Sequence, residues 1–275
     1  MPEHTVLITG CSSGIGRASA EAFLEEEWTV YATARDTEDI ADLAEQGCET
    51  AELDVTEQAD IDRVVERIVD DTGRIDCLVN NAGYAQFGPI EDVPVERVHD
   101  QFDVNVYGPH RLTRAVLPHM RDREDGTIVN LSSVAGRVSS PGMGTYSASK
   151  AAVESMSEAL RVEVEEYDID VVLVEPGPVD TQFSDRADDE FASLDRSGAY
   201  PSIYNLYQDQ QLFGGSSVFG IPAAQVADVV VNAASATEPE PRYVVGEFAR
   251  LTVLSRFLPD RIRDAGFRAL RKVLG

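Results

Sequence analysis

Cysteine and long apolar runs are scarce in this chain of 275 residues. The cysteines, Cys11, Cys48 and Cys77, are odd in number, and their spacing fits neither a disulfide framework nor a metal site. No run approaches about 18 consecutive apolar residues, so we expect no transmembrane helix. The first residues carry neither a basic start nor an apolar signal region, and the sequence therefore favours a cytoplasmic location.

Basic charge is scarce as well, and lysine is almost absent. The chain has 49 acidic residues against 23 basic ones, a net charge of -26, and its lysines are Lys150 and Lys272 alone. Such an acidic surface repels phosphate, which excludes nucleic acid as a partner. Molar salt shortens the Debye length to about 3 Å and screens this self-repulsion, so the composition predicts a halophilic source. The alternative is an acidic mesophilic protein that prefers arginine.

What the chain does contain is an alternation of strand-like and helix-like segments. Apolar residues from Ile61 to Val69 recur on one face of a helix predicted over 61–71. Strands are predicted at 5–9, 29–34, 50–53, 75–79, 127–131, 170–174 and 242–245. This pattern predicts one α/β domain over 1–275, a doubly wound, parallel seven-stranded Rossmann-type sheet with helices on both faces.

One segment, about 181–221, interrupts the alternation and has little periodicity. It is rich in aromatic residues: Tyr200, Tyr204, Tyr207, Phe213 and Phe219. Because it leaves the carboxyl edge of the sheet, where ligands bind in such folds, we predict a lid over a substrate. The alternative is a surface excursion whose aromatic residues only pack against the domain.

The C-terminal segment, about 247–275, inverts the charge of the chain. It carries seven basic residues against three acidic ones, a local excess of +4, and its apolar residues mark amphipathic helices. Docking on the acidic body or on a neighbouring subunit is the favoured interpretation. Weak contact with an anionic membrane surface is the alternative.

A glycine-rich turn follows the first predicted strand and opens a helix. Gly10, Gly14 and Gly16 are spaced Gly-x3-Gly-x-Gly, which lets the backbone approach a pyrophosphate at the helix N-terminus. Alone, this turn is a modest signal, and a plain strand-to-helix turn is the alternative.

Further motifs follow in a fixed order. They are Asn80-Asn81-Ala82-Gly83, Asn105, Ser132-Ser133, Tyr146-x3-Lys150 and Pro176-Gly177-Pro178-Val179-x-Thr181, each at the edge of a predicted strand or in a predicted helix. With these residues the chain, from 9 to 181, resembles the short-chain dehydrogenase/reductase family. In its lid and C-terminal extension it is similar to the hydroxysteroid and retinol dehydrogenases of that family.

The resemblance implies an oxidoreductase that binds a nicotinamide cofactor and forms a dimer or tetramer. It implies that Asp54 and the backbone of Val55 meet the adenine, and that Val179 and Thr181 hold the carboxamide. Asp54 could instead cap the next helix, and Thr181 could end its strand. The full set of implied cofactor contacts is Gly10, Ser12, Ser13, Gly14, Ile15, Gly16, Asp54, Val55, Asn81, Ala82, Gly83, Tyr146, Lys150, Pro176, Gly177, Val179 and Thr181, with Arg35 added from charge.

Charge decides between the two nicotinamide cofactors. NAD-type sites place an acidic residue about 20 positions past the glycines, and here Ala34 stands there, followed by Arg35. An arginine can fork onto a 2′-phosphate, and Arg17 could assist, although Asp36 could pair with Arg35. The sequence therefore predicts NADP(H), with NAD(H) as the alternative.

The predicted catalytic residues are Asn105, Ser133, Tyr146 and Lys150. Tyr146 and Lys150 are four apart on a predicted helix and share one face. A nearby ammonium and an oxidised nicotinamide would lower the tyrosine pKa, so that Tyr146 can act as acid or base. Such pairs are common on ordinary helices, but here one of only two lysines occupies the position. The resemblance implies that Ser133 bonds the substrate oxygen and that Asn105 anchors a water that links Lys150 to solvent.

The predicted reaction is hydride transfer between NADP(H) and a secondary alcohol or ketone, or an aldehyde. Apolar residues around the motifs indicate a hydrophobic substrate: Tyr84, Phe87, Val134, Met143 and Phe183. A catalytically silent NADP(H)-binding sensor is the alternative. A sugar epimerase or dehydratase is disfavoured by the glycine spacing. The histidines have no ligand spacing, so no metal is predicted.

Overall fold

The computed structural model describes residues 4–181, 183–208 and 220–274. Its strands are β1 (Thr5–Thr9), β2 (Thr29–Ala34), β3 (Glu49–Glu52), β4 (Cys77–Asn80), β5 (Gly126–Leu131), β6 (Ile169–Pro176), β7 (Val179–Asp180), β8 (Ile221–Pro222) and β9 (Arg242–Val245). Its α-helices are α1 (Gly14–Glu25), α2 (Ala41–Gln46), α3 (Gln58–Thr72), α4 (Val95–Phe102), α5 (Gly108–Arg123), α6 (Gly144–Glu163), α7 (Phe183–Ala192), α8 (Pro201–Gln208), α9 (Ala223–Ser235), α10 (Glu247–Leu254) and α11 (Asp260–Leu274).

Seven of these strands form one parallel sheet in the order β3-β2-β1-β4-β5-β6-β9. The predicted fold class is therefore confirmed. Strand β4 begins at Cys77, two residues later than predicted, and the Asp76 side chain just before it accepts a hydrogen bond from the Thr5 N–H at 2.7 Å. The pair β7–β8 forms a second small sheet that was not predicted, since two residues are too few to show a period.

The sheet buries apolar side chains on both of its faces. In β6, Val172 and Val174 pack towards α1 and α9, whereas Val171 and Leu173 point to the opposite face, which α3, α5 and α6 cover. A strand buried on both sides reads as a continuous apolar run, which is why β6 was predictable from sequence.

The strand order runs outward in one direction from β1 to β3 and in the other direction from β4 to β9, so the two halves of the sheet meet between β1 and β4. The glycine turn follows β1, and the segment Asn80–Gly83 follows β4, so these two segments meet at the carboxyl edge of the sheet. Such a switch point opens the crevice in which doubly wound folds bind their ligands.

Two pairs of helices extend beyond this core. Helices α7 and α8 bury apolar side chains against the segment after β4, and α11 contacts α8. In the described part of the chain, no helix combines the length and the apolar character needed to cross a bilayer.

Candidate active site and cofactor crevice

The glycine turn is packed so tightly that only glycine fits at its last position. A Cβ at Gly16 would lie 2.3 Å from the Gly10 carbonyl oxygen and 2.4 Å from Asn81 Nδ2. Asn81 Nδ2 donates to the carbonyls of Thr9 at 2.8 Å and Gly10 at 3.0 Å. The amide of Asn81 thus ties the turn after β1 to the end of β4. The turn leaves the first N–H groups of α1 at the crevice, where a phosphate can accept from them.

Other predicted contact residues lie in this turn and beside it. Ser13 precedes α1 and makes no capping bond with its side chain, while Ser12 is exposed. Ala82 N donates to Thr9 Oγ1 at 3.0 Å. Gly83 faces Asn105, whose Oδ1 would lie 3.0 Å from an added Cβ. Ile15, inside the first turn of α1, packs partly buried against the core.

The Pro176–Thr181 motif reaches the glycine turn from the other side. Thr181 Cγ2 would lie 3.1 Å from a Cβ added at Gly14, so the two residues are in contact. Pro176 ends β6, Gly177 N donates to the Val245 carbonyl at 3.2 Å, and Val179 pairs with Ile221. Strand β7 ends at Asp180, so Thr181 lies just past its strand and against the turn.

The two arginines predicted near the 2′-phosphate, Arg35 and Arg17, differ in their contacts. Arg35 is exposed after β2, and none of the described residues forms an ion pair with it. Asp36 does not pair with Arg35, because the Asp36 carboxylate accepts a hydrogen bond from the Glu38 N–H at 2.9 Å and caps the following turn. Arg17 instead forks onto the Asp42 carboxylate, with a second bond of 2.9 Å. Arg17 could assist at the phosphate only by leaving this ion pair, so its assistance stays a prediction.

Asp54 and Val55 form a turn before α3. Asp54 Oδ1 accepts from the N–H and the hydroxyl of Thr56 at 2.9 and 2.7 Å. Helix α3 is preceded by Glu57, so Asp54 shapes the turn and does not cap the helix. Val55 is buried against Gly108, where an added Cβ would lie 2.8 Å from its side chain.

Helix α6 presents Tyr146 and Lys150 on one face, and both side chains are buried. Lys150 Nζ lies 6.0 Å from the centre of the Tyr146 ring and donates to the Leu131 carbonyl at 2.7 Å. Ser133 follows β5, hydrogen-bonds Tyr146, and accepts the Ala135 N–H at 3.1 Å. Three of the predicted catalytic residues are thus brought together at the carboxyl edge of the sheet.

Asn105 lies in a π-helical stretch, Asp103–Tyr107, between α4 and α5. Its Oδ1 accepts the Tyr84 N–H at 3.1 Å, and its Nδ2 donates to the Tyr84 carbonyl at 2.9 Å and to Ser149 Oγ at 3.1 Å. Ser149 in turn donates to the Tyr146 carbonyl at 2.8 Å. Asn105 therefore connects the segment after β4 to the backbone of the catalytic helix, and such π-turns recur at functional sites.

Burial sets the pKa values of the pair in opposite directions. It raises the pKa of Tyr146 to about 12, against a hydrogen bond from Ser133 that lowers it. It lowers the pKa of Lys150 to about 8, while the charge of Glu154 raises it. Desolvation of the tyrosinate thus sets the pKa of Tyr146 in the chain by itself, whereas the predicted lowering depends on Lys150 together with an oxidised nicotinamide.

An apolar roof covers Tyr146. The rings of Phe87 and Phe183 lie 6.1 and 5.9 Å from the Tyr146 ring, centre to centre. Behind them lies a buried cluster that includes Phe191 of α7, Leu194 just after α7, and Tyr204 and Tyr207 of α8, with Met143 packed against it. Tyr84 and Val134 are buried near the same segments, and Phe213 and Phe219 lie outside the described residues.

Phe191 and Leu194 were missed by sequence reasoning because acidic residues surround them. Their spacing with Ala187 is helical and could have revealed a buried face.

Polar bonds hold the roof to the body of the domain. The hydroxyl of Tyr204 donates to Asp92 Oδ2 at 2.7 Å, and that of Tyr207 donates to the Pro141 carbonyl at 2.8 Å. Arg97 forms an ion pair with Glu190 at 2.8 Å. These bonds join α7 and α8 to residues from three other segments.

Sequence reasoning also missed a buried ionic cluster next to Lys150. Arg137 Nη1 lies 2.9 Å from Glu175, and Arg242 bonds Glu154 and Glu175 together. No spacing signal could have found it, because β6, α6, β9 and the turn after Ser133 each contribute one residue. Among the described residues there is no group of three or more His, Cys, Asp or Glu side chains able to hold a metal.

Comparison with known proteins identifies relatives over most of the chain. A family model described as short chain dehydrogenase matches residues 4–191. The chain is 34% identical to uncharacterized oxidoreductase YbbO of Escherichia coli (95% and 93% of the two chains) and to NADPH-dependent 3-dehydrocapnine reductase of Ornithobacterium rhinotracheale (95% of both). It is also 34% identical to human retinol dehydrogenase 8 (87% and 80%).

Solved structures agree in fold. A short-chain dehydrogenase from Streptomyces avermitilis superposes with a TM-score of 0.82 at 36% identity, over 99% and 98% of the chains. One from Burkholderia phymatum in complex with NAD gives 0.80 at 27% (94% and 95%), and one from Burkholderia cenocepacia in complex with NADP gives 0.75 at 26% (96% and 97%). Structural neighbours of this chain therefore include both NAD-bound and NADP-bound enzymes.

Proposed function

The chain belongs to the short chain dehydrogenase family and is an oxidoreductase of that family, and from this premise we propose that it interconverts a secondary alcohol and a ketone, or an aldehyde, with NADP(H). The observation that carries the proposal is the meeting of Ser133, Tyr146 and Lys150 beside the glycine turn. When bound, the nicotinamide supplies or accepts the hydride.

The residues of the crevice fit such a cofactor. The cradle formed by Gly10, Gly14 and Gly16 carries no side chains, so a pyrophosphate can approach its backbone closely. Gly14 and Thr181 would border the same ligand. If Lys150 holds the ribose of the cofactor, its ammonium stays near the hydroxyl of Tyr146.

The chain's own groups support the proton chemistry. Ser133 holds the carbonyl oxygen by a hydrogen bond, and Tyr146 donates its hydroxyl proton to that oxygen as negative charge develops there. The ammonium of Lys150 stabilises the resulting tyrosinate. Asn105 holds α6 in place through Ser149. We also propose that Asn105 anchors a water that relays protons between Lys150 and solvent.

We further propose that Arg35 selects NADP(H). Its guanidinium is exposed at the end of β2 and is free of ion pairs among the described residues. Arg35→Ala should lower the ratio of kcat/KM for NADPH to that for NADH about ten- to a hundredfold, since a charge-assisted hydrogen bond contributes about 1.5–3 kcal/mol. Arg17→Ala is the matched control, because Arg17 is held by Asp42. An Arg35→Ala enzyme with the wild-type ratio would overturn the assignment.

The substrate we propose is a sizeable hydrophobic ketone or alcohol. Phe87 and Phe183 flank Tyr146, and the aromatic roof of α7 and α8 excludes water from this side. NADPH oxidation measured against ketones of increasing apolar size should show kcat/KM rising with size. Tight NADPH binding without turnover of any ketone or aldehyde would instead favour the sensor.

We also propose that the enzyme is a homo-oligomer in which a second copy covers the C-terminal helices. Leu251, Leu254 and Phe257 are 68, 62 and 80% exposed, so the described part of the chain leaves these side chains uncovered. The arginines of this segment complement the acidic surface that a chain of net charge -26 offers. A cytoplasmic location and a salt-rich environment complete the proposal.

A double variant tests this face directly. L254S/F257S should lower the molar mass measured by light scattering, while Val162→Ser, equally exposed on α6, should not. An unchanged mass together with flotation of the wild-type chain on acidic liposomes, lost in the double variant, would contradict subunit docking and favour the membrane.

A further inference from the structure

Glu154 follows Lys150 by one turn of α6, and its carboxylate is buried. The turn after Ser133 packs directly on this part of the helix. A Cβ at Gly136 would lie 3.1 Å from the Lys150 backbone and 3.2 Å from Glu154 Cγ. The space between the catalytic serine and these residues is therefore filled by protein.

Two glutamates and two arginines make up the cluster around this carboxylate. Arg242 bonds Glu154 and the fully buried Glu175, and Arg137 bonds Glu175 at 2.9 Å and lies 4.0 Å from Glu154. The charges of these four groups cancel. A third acid, Glu158, also pairs with Arg242 at 2.5 Å, but it is 61% exposed.

The two buried carboxylates are not fully satisfied within the cluster. Glu175 Oε2 is buried and has no hydrogen-bond partner among the described residues. Burial raises the pKa of Glu154, and a hydrogen bond with Ser132, outside the cluster, opposes that rise. Lys150 donates one bond, to the Leu131 carbonyl. On α6, the positive charge that lies one turn from the Glu154 carboxylate is the Lys150 ammonium.

We propose that Glu154 is a positioning residue that keeps Lys150 in its ammonium form, with Arg242 and Glu175 holding the carboxylate in place. This inference rests on the proposed function, because Glu154 acts on the reaction only through Lys150. The groups that face Lys150 are Tyr146 and Glu154 on α6, and behind Glu154 stand Arg137, Glu175 and Arg242.

The sign of the effect follows from the charges. Burial favours neutral lysine, and an opposite charge nearby favours the ammonium. Glu154→Gln removes that opposite charge and leaves two arginines against one buried glutamate. Both changes disfavour a positive charge on Lys150, so its pKa should fall from about 8.

The scarcity of lysine makes this measurable without turnover. With Lys272→Arg as background, ¹³C-lysine labelling gives the Cε signal of Lys150 alone. We expect its titration midpoint to fall by at least about one pH unit in Glu154→Gln, the low end for an opposite charge at short range. It should stay unchanged in Glu158→Gln, and Glu154→Asp should restore it to near the wild-type value.

The outcomes separate this inference from the proposed function. A wild-type midpoint in folded Glu154→Gln, or an Asp variant that behaves like the Gln variant, overturns the inference, because packing and not charge would then be the role of Glu154. If the midpoint falls, the alkaline limb of kcat for ketone reduction should move down with it. A shifted midpoint with an unshifted limb would instead contradict the role of Lys150 in turnover.

Discussion

Burial of Tyr146 decides which protonation state of its hydroxyl is available to the reaction. A pKa of about 12 keeps the hydroxyl protonated at neutral pH, which suits the donation of a proton to a ketone. The reverse reaction needs tyrosinate, which burial disfavours. The environment of Tyr146 thus suits the proton-donating step that we propose for ketone reduction.

This environment predicts a pH dependence for the wild-type enzyme. Lys150 has its pKa lowered to about 8, so its positive charge is present below that pH and is lost as the pH rises through it. The rate of ketone reduction should therefore fall above about pH 8. A kcat profile from pH 6 to 10 measures the limb, and a flat profile would contradict it.

Removal of the hydroxyl tests the proton donor itself. Tyr146→Phe should lower kcat for ketone reduction by about 10²–10⁴-fold, the range of a general acid. Its ring keeps the contacts with Phe87 and Phe183, so NADPH affinity measured by fluorescence should stay close to wild type. Turnover within tenfold of wild type would remove Tyr146 from the proposed mechanism.

A single methyl group tests the cofactor cradle. A Cβ at Gly16 would meet the Gly10 carbonyl at 2.3 Å and Asn81 Nδ2 at 2.4 Å, so Gly16→Ala must displace the turn. We expect NADPH affinity to fall at least about tenfold and the melting temperature to drop. Gly266→Ala is the control, since an added Cβ there meets nothing within 4 Å. Equal affinities for the two variants would contradict the cradle.

At the scale of elements, the limits of several strands were predictable from the sequence, whereas the partners of charged side chains were not. Strands β1, β2 and β9 have the predicted limits because each is a short apolar run with clear ends. The partner of Arg17 is Asp42, which lies 25 residues away on another helix, and no spacing rule pairs them. The ordered motifs located the catalytic residues, whereas the cluster around Glu154 required the packing of β6, α6 and β9.

Helices α7 and α8, which form the aromatic roof, give a prediction of their own. The Tyr204 hydroxyl is buried and donates to Asp92 at 2.7 Å, so Tyr204→Phe leaves a buried carboxylate oxygen without this donor. The loss of a buried bond to a charged group costs about 1.5–3 kcal/mol and should loosen α8. We expect KM for a hydrophobic ketone to rise about tenfold while NADPH affinity is kept. Tyr243→Phe, outside the roof, is the control, and equal KM values would contradict the lid.

For the whole molecule, like-charge repulsion competes with local ion pairs. A net charge of -26 on 275 residues destabilises the compact state at low salt. Exposed pairs such as Arg67–Glu49 at 2.7 Å oppose this, but each contributes only about 0–1 kcal/mol. Salt screens both effects, and because acidic residues outnumber basic ones by 49 to 23, we expect the relief of repulsion to dominate.

The melting temperature should therefore rise between about 0.05 and 1 M KCl, as the Debye length falls from more than 10 Å to about 3 Å. Each kcal/mol of repulsion relieved raises the melting temperature of a domain of this size by about 2–4 °C. Tetramethylammonium chloride at equal ionic strength is the control, because screening alone predicts the same rise with both salts. A rise with KCl only would indicate specific potassium binding. A melting temperature that stays constant or falls with both salts would show that the acidic surface is not adapted to molar salt, and would favour an acidic mesophilic protein.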